Sequence, residues 1–302
     1  MSGVSSVRNR CVIRLFQHRW TCHFLFMRRK MFLLFLTAWF AAALSCPAAS
    51  DSILARVALL SDPHLSTSTN ETGLRHMRNF DRAIAAVNAA APDFVLIAGD
   101  LTEDGTAEQF ACYKQRAAQF MGPVIVVPGN RDVGHPGNDN RKRTVTPERV
   151  KSFGDVGPNW FTTNLAGIRV VGLNACLFGT GLPEERQQWR FLKNELSTKP
   201  APPTLLLQHF PLFTLSADEP ANGWNVPPAP RQMLLNLATT AGVRAVLSGH
   251  LHYPIVHRTN GILFLSNPAT SFGLPPILQP AGWTLLSFTA QGEIRPEFQP
   301  LH

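Results

Sequence analysis

The chain has 302 residues, 45% of them hydrophobic and 16% charged, which excludes a disordered segment and leaves room for one large domain or two small ones. Its net charge of +8 is concentrated at one end: residues 1–30 carry Arg8, Arg10, Arg14, Arg19, Arg28, Arg29 and Lys30 with no acid, so eight minus seven leaves +1 for all that follows. A near-neutral folded part carries no electrostatic footprint for nucleic acid, and none is expected as a partner.

Met31–Leu44 is an uncharged apolar run of about fourteen residues, short of the roughly 20 that a membrane span needs. Arg28-Arg29-Lys30 precede it, and Cys46, Ala48, Ala49 and Ser50 follow, which is the layout of a secretory signal. Cleavage after Ser50 would leave a mature domain over residues 51–302, and Met27 alone would begin a compact signal. Lipid attachment at Cys46 and an uncleaved anchor are the rivals, although Ala43-Leu44-Ser45 departs from the usual bacterial lipoprotein pattern. All three readings export the domain to the periplasmic or extracellular side, with membrane contact only through such an anchor. Of the five cysteines, Cys11, Cys22 and Cys46 lie in or before the signal, leaving Cys112 and Cys176 as one disulfide or two buried thiols.

Within the mature chain, Arg56–Leu60 reads as a strand, followed by a polar loop and a helix over Leu74–Ala90 with Met77, Phe80, Ile84 and Val87 on one face. Pro92 stops that helix, and Phe94–Ala98 is a fully apolar run, the mark of a strand buried on both sides. Thr106–Met121 predicts a second helix and Val124–Val127 a third strand, whereas Val133–Trp160 breaks the pattern as a long insertion carrying the basic run Arg141-Lys142-Arg143. Strand character returns at Arg169–Leu173, then a helix over Pro183–Leu196 with Pro at its first position and Glu184-Glu185 in its first turn. Leu205–Leu207, a Pro-rich loop over Ala217–Pro230, a helix over Arg231–Ala241 and a strand over Val243–Leu247 come next. Runs at Ile255–Val256, Ile262–Leu265 and Thr284–Phe288 are joined by turns, so antiparallel pairing is expected. Alternating strands and helices imply an α/β fold with helices packed outside a sheet.

Five of these strands end in chemistry: Leu60-Ser61-Asp62-Pro63-His64, Ile97-Ala98-Gly99-Asp100, Pro128-Gly129-Asn130-Arg131-Asp132, Leu207-Gln208-His209 and Ser248-Gly249-His250-Leu251-His252. One Asp or His past a strand is an ordinary cap; five such endings in one domain read as a metal site at the carboxyl edge of a sheet. Carboxylate, imidazole and amide donors without thiolate suit Mn, Fe or Zn. Asp62, His64, Asp100, Asn130, His209, His250 and His252 are too many ligands for one four-coordinate ion and suit two ions sharing a bridge, for which the two oxygens of Asp100 are the natural choice. Two ions roughly 4 Å apart lower the pKa of a bridging water to supply hydroxide and clamp a phosphoryl group during in-line displacement. Gly99, Gly129 and Gly249 precede ligands at sharp turns, where unusual backbone angles or close approach favour glycine.

Taken in order, Asp62-x-His64, Gly99-Asp100, Gly129-Asn130, His209 and Gly249-His250-Leu251-His252 resemble the signature of the calcineurin-like metallophosphoesterases, from about residue 55 to residue 270. Ala98-Gly99-Asp100-Leu101-Thr102 and the compact size resemble the bacterial branch that includes cyclic-nucleotide phosphodiesterases. The resemblance implies a four-layer αββα sandwich with mixed sheets and a dimetal site at its top edge. It implies one ion on Asp62, His64, Asp100 and His252, the other on Asp100, Asn130, His209 and His250, and Asp132 supporting them from behind. The family usually has His after the Asn; here Arg131 stands there. Arginine can stabilise equatorial charge on a phosphoryl group, but its pKa is too high for it to protonate a leaving oxygen. His135, four residues on, is a candidate replacement; His76 and His257 are assigned no role.

The expected function is a dimetal phosphohydrolase acting on phosphodiesters of small molecules or lipid-linked groups. The alternatives are a phosphomonoesterase or pyrophosphatase on the same site, and a non-catalytic metal-bearing scaffold. Oligomeric state is not readable.

Overall fold

The computed structural model describes residues 52–137, 143–197, 202–276 and 278–301. The N-terminal stretch expected to direct export, with its cleavage, lipidation and anchor readings and with Cys11, Cys22 and Cys46, lies outside the described residues, as do Arg141 and Lys142. Among the described residues, no helix is long and apolar enough to cross a membrane.

Strands β1 (Ile53–Leu60), β2 (Phe94–Ile97) and β3 (Val124–Val126) run parallel, linked through α1 (Glu71–Ala90) and α2 (Ala107–Ala117). On the other side of β1, β10 (Gly282–Thr289) pairs antiparallel and carries β11 (Ile294–Pro300) as the edge, for an order of β11-β10-β1-β2-β3. The second sheet is built from β4 (Phe161–Leu165), β5 (Ile168–Gly172), β6 (Thr204–Leu207), β7 (Ala245–Ser248), β8 (Ile255–Thr259) and β9 (Ile262–Ser266), in the order β4-β5-β6-β7-β9-β8. Its four central strands are parallel and its two edges antiparallel. Both sheets are mixed, as the αββα expectation requires.

Side-chain alternation along each strand builds the layers. Val57 and Leu59 of β1, with Phe94 and Leu96 of β2, meet Val170, Leu205, Leu207, Ala245 and Leu247 in the apolar layer between the sheets. Their neighbours Ala58, Leu60, Val95 and Ile97 join the cluster formed with Phe80, Ile84 and Val87 of α1 and Phe110 and Tyr113 of α2. On the second sheet, Val171, Leu206 and Val246 join the same cluster as Leu192 of α5 (Pro183–Glu195) and Leu234, Ala238 and Ala241 of α6 (Pro228–Ala241). A strand with both faces covered has no polar face, which is why these runs read as continuously apolar.

Four sequence expectations need correction. Helix α1 begins at Glu71, because the Asn70 side chain caps the Gly73 N–H at 2.8 Å. Residues 133–160 are not one long loop: α3 (Asn130–Val133) ends at its first residue and α4 (Pro147–Phe153) lies within it, capped by the Thr146 side chain, with Pro at its start and Val150 and Phe153 in the core. Among the three late strands, only β8 and β9 pair with each other; β10 crosses to the first sheet and lies against β1. Cys112 and Cys176 are free, so the disulfide alternative falls and the thiol alternative holds, with Cys176 buried and Cys112 only half-buried.

Candidate metal centre

The parallel strands of both sheets deliver the seven predicted ligands to one edge, and the backbone there is unusual. Asp62 (φ 53°), His64 (49°), Asp100 (49°), His250 (72°) and His252 (59°) all occupy the left-handed region. Each such residue costs on the order of 1–3 kcal/mol and persists only where its surroundings hold it. Here, the N–H of Asp62 donates to Gly99 O and that of His64 to Asp100 O, both at 3.0 Å. The N–H of Gly249 donates to His209 O at 2.9 Å, and that of His250 to Asp62 Oδ2 at 2.9 Å. The glycines divide into two cases. Gly99 is itself left-handed at φ 84°. Gly129 and Gly249 are required by space: a Cβ on Gly129 would strike the Asp100 carboxylate, and one on Gly249 would lie 2.6 Å from Asp62 Oδ2.

The ligand atoms converge in two groups, Asp62 with His64 and His252, and Asp100 with His209 and His250. In the first, His64 Nε2 lies 3.2 Å from His252 Nε2, and His252 Nε2 lies 3.4 Å from Asp62 Oδ1. In the second, His209 Nε2 lies 3.2 Å from His250 Nδ1, 3.1 Å from Asn130 Oδ1 and 3.3 Å from Asp100 Oδ2. Asp100 Oδ2 is also 3.7 Å from His64 Nε2, so this one oxygen stands between the groups. Its partner Oδ1 accepts the Arg131 backbone N–H at 2.7 Å.

The opposite ring nitrogens settle which way the imidazoles face. His64 Nδ1 meets Glu103 Oε2 at 3.0 Å, His209 Nδ1 meets Ala98 O at 2.7 Å and His252 Nδ1 meets Phe272 O at 3.0 Å. His250 is reversed, with Nε2 3.4 Å from Gly223 O. Those acceptors take the N–H, so in the neutral imidazoles the inward nitrogens present lone pairs to one another, an arrangement that needs a cation between them. Asp62 is fully buried and its Oδ1 makes no hydrogen bond, and an isolated buried carboxylate costs several kcal/mol unless it meets positive charge. The donor set therefore fits two metal ions.

Without metal, protons answer the same need. Burial pushes His64 and His209 down, but the carboxylates around them raise His64 to about 10 and His209 to about 9. Burial likewise pushes Asp100 up, yet His209 and His64 bring it down to about 2. Burial and the charge of His209 lower His250 to about 3. Metal loading must displace the protons on His64 and His209, so it releases acid and strengthens as pH rises.

Asp132 supports these loops from behind. Its Oδ2 accepts the N–H groups of Gly129 (2.9 Å) and Leu101 (3.1 Å), and its Oδ1 accepts the N–H (2.9 Å) and hydroxyl (2.8 Å) of Thr102. That ties the loop after β2 to the loop after β3. Arg131 lies at the mouth of the site, 46% exposed, with Nη1 donating to Glu103 Oε1 at 2.7 Å. His135 lines the same cavity, its ring set edge-on to Phe210.

Glu103 and Trp224, which sequence reading passed over, and His76, to which it assigned no role, also belong here. Glu103 touches both His64 and Arg131; it sits in a polar loop, and only the folding of that loop over His64 reveals it. His76 is buried, with Nδ1 3.3 Å from His64 O and its ring stacked on Phe272 at 5.2 Å; burial first and His64 second lower it to about 4, so it is neutral. Trp224, 53% exposed, stands with its ring 5.8 Å from that of His250. Its loop is held by the fully buried Arg231, which donates from Nε to Val226 O (3.1 Å) and from Nη1 to Ala217 O (3.0 Å) and Glu219 O (2.6 Å). Together with Phe272 and Leu274, Trp224 lines a cavity of about 700 Å³ that opens over Asp100, Asn130 and the metal-facing histidines.

Residues 55–254 match the family described as calcineurin-like phosphoesterase. A probable cyclic nucleotide phosphodiesterase of Synechococcus is 26% identical over 255 residues, covering 82% of this chain and 92% of that protein. A serine/threonine-protein phosphatase of Danio rerio, CPPED1, is 29% identical over 187 residues, and the match spans 57% of this chain and 58% of that relative. Among solved structures, the purple acid phosphatase of yellow lupin superposes with a TM-score of 0.54 at 17% identity, over 83% of this chain and 52% of that one, a likeness of fold.

Proposed function

The chain belongs to the calcineurin-like phosphoesterase family and is a metal-dependent phosphoester hydrolase; on that footing, we propose that its substrate is a phosphodiester met outside the cytoplasm. One ion would sit on Asp62, His64, Asp100 and His252, the other on Asp100, Asn130, His209 and His250, with Mn, Fe or Zn suited to such N and O donors. When bound, the two ions supply an activated water as nucleophile and Lewis acidity at the phosphoryl oxygens.

The chain's own side chains complete the chemistry. Arg131 offers Nη2 and Nε to the equatorial oxygens, where charge spreads as the bond to the leaving oxygen breaks. It cannot give that oxygen a proton at neutral pH. The leaving group must then depart as an anion or take its proton from solvent, which favours esters of acidic alcohols and phenols.

The charge of the cavity carries the preference for diesters. Among the described lining residues, the two arginines, Arg131 and Arg143, are each paired with a carboxylate, Glu103 and Asp104. Beyond the metal pair itself, these side chains add little net positive charge for a dianionic monoester, whereas a monoanionic diester with two substituents suits a 700 Å³ cavity with aromatic walls. The sequence match to a probable cyclic nucleotide phosphodiesterase supports the same choice. Export makes a lipid-linked or other extracytoplasmic diester the natural substrate, and N-terminal sequencing of the protein recovered from the periplasm tests the signal reading. For the reaction, the Mn²⁺-loaded full chain is assayed on bis(p-nitrophenyl) phosphate and p-nitrophenyl phosphate. We expect kcat/KM for the diester to be at least about tenfold higher; equal values, or the reverse order, overturn the diester assignment.

A further inference from the structure

Glu103 divides its carboxylate between the two halves of the site. Oε2 accepts from Nδ1 of the candidate ligand His64 at 3.0 Å, and Oε1 accepts from Arg131 Nη1 at 2.7 Å. Arg131 directly follows Asn130, a candidate ligand of the other ion, and its own backbone N–H holds Asp100 Oδ1 at 2.7 Å. Glu103 is itself pinned: Arg143 Nη2 donates to its carbonyl at 3.0 Å and to Asp104 Oδ1 at 2.7 Å. His64 thus connects to the guanidinium through one acidic side chain that no ion would touch, and Asp100 connects to the same arginine through its backbone N–H.

We propose that Glu103 is a positioning residue that holds the Arg131 guanidinium over the metal pair as the phosphate clamp, so that substrate affinity depends on Glu103 through Arg131. This rests on the hydrolase reading above. The physical reason is the arginine's freedom. Arg carries about 2 kcal/mol of rotamer entropy, and a side chain 46% exposed would spend most of its time in solvent without a partner. Pairing at Nη1 fixes the plane of the fork of this cavity-lining residue and leaves Nη2 and Nε to take two oxygens of a phosphoryl group. The pairing also offsets the positive charge of the clamp, which matches a monoanionic diester.

The test is binding, read by titrating dimethyl phosphate, a monoanionic diester, into the Mn²⁺-loaded full chain by calorimetry, with bound Mn counted in each sample. Four proteins are compared: wild type, Glu103→Gln, Arg131→Ala and the double variant. A glutamine has one acceptor oxygen and cannot serve both His64 and Arg131. We expect Glu103→Gln and Arg131→Ala each to weaken dimethyl phosphate about tenfold, and the double variant to match Arg131→Ala within about twofold. Dimethyl phosphate affinity unchanged in Glu103→Gln overturns the proposal, as does a double variant weakened by the product of the two single effects, about a hundredfold. If Glu103→Gln binds fewer than two ions, Glu103→Asp at saturating Mn²⁺ takes its place. Weakening confined to the Arg131 background supports the proposal, and equal weakening in both backgrounds overturns it. Because the reading is dimethyl phosphate affinity, the coupling is scored even if neither nitrophenyl ester is turned over, which would count against the hydrolase reading alone.

Discussion

The floor and the rim of the cavity are built on opposite principles. On the floor, Asp62, His64, Asp100, His209 and His252 are all buried, five ligand residues hold left-handed backbone, and the outward ring nitrogens are tied to carbonyls or to Glu103. On the rim, Arg131, Trp224 and Leu274 are exposed, and the loop carrying Trp224 is held from beneath by one buried arginine. A floor that stores strain and buried charge is fit for one chemistry only, and almost any change there removes it. A rim of exposed side chains on loops can change substrate while the chemistry stays. The reaction class should therefore depend on the floor, and substrate choice on the rim.

The harshest way to break that contrast is at the bridge. Asp100→Asn keeps the shape but removes charge from the oxygen that stands 3.3 Å from His209 Nε2 and 3.7 Å from His64 Nε2. We expect kcat to fall by about a thousandfold or more, with fewer than two ions bound per chain by elemental analysis. Retention of both ions with activity within tenfold would remove Asp100 from its central place.

A smaller lesion asks whether space alone protects the floor. Gly249 is not left-handed, but a Cβ there would meet Asp62 Oδ2 and Ser61 Cβ, each at 2.6 Å. Gly249→Ala should weaken Mn²⁺ binding about 10- to 100-fold without loss of helical circular dichroism. Gly261→Ala is the control: its φ of +75° strains the β8–β9 turn, yet nothing lies within 4 Å of a new Cβ. It should cost about 1 kcal/mol of stability and leave metal affinity alone. Equal metal affinity in the two variants would mean that the crowding at Gly249 is not functional.

How much of this was legible beforehand follows the same division. The ligands announced themselves because buried parallel strands read as apolar runs, and an Asp or His just past such a run stands out. Much of the framework could be read as well, except where the chain turns polar: β4, with the sequence FTTNL, and β11, an edge strand holding Pro296 and Pro300, lack the apolar alternation that marks a strand. The Thr146-Pro147-Glu148 start of α4 was a usable signal that the surrounding Gly and Pro residues obscured. Glu103, Trp224 and Arg231 had no such mark. Their roles arise from where loops of different strands meet, and no local pattern encodes that.

On the rim, Trp224→Ala should act on binding alone. Removing an exposed aromatic wall costs on the order of 1 kcal/mol of contact with an aromatic ester. KM for bis(p-nitrophenyl) phosphate should rise about five- to tenfold, with kcat within about threefold. A fall in kcat at constant KM would put Trp224 in the chemistry and blur the line between floor and rim.

The gentlest test concerns the loop that presents Trp224. Glu219 accepts the N–H groups of Thr214 (2.7 Å), Leu215 (2.8 Å) and Ser216 (3.2 Å), and the Asn225 amide donates to it as well. Burial alone would raise its pKa; the backbone donors at Thr214 and Leu215 and the Asn225 amide lower it to about 2 from the usual 4.5. A depressed carboxylate pKa adds stability that is complete above about 4.5 and is lost as pH falls towards 2. Because the group is partly exposed, solvent screening reduces the expected gain to about 1 kcal/mol. Glu219→Gln should therefore unfold more easily than wild type at pH 7, and the gap should close as pH is lowered through 4.5, as followed by urea denaturation. A gap that stays constant across that window would mean that the carboxylate's charge does not hold the loop, leaving Arg231 and the backbone to position the rim.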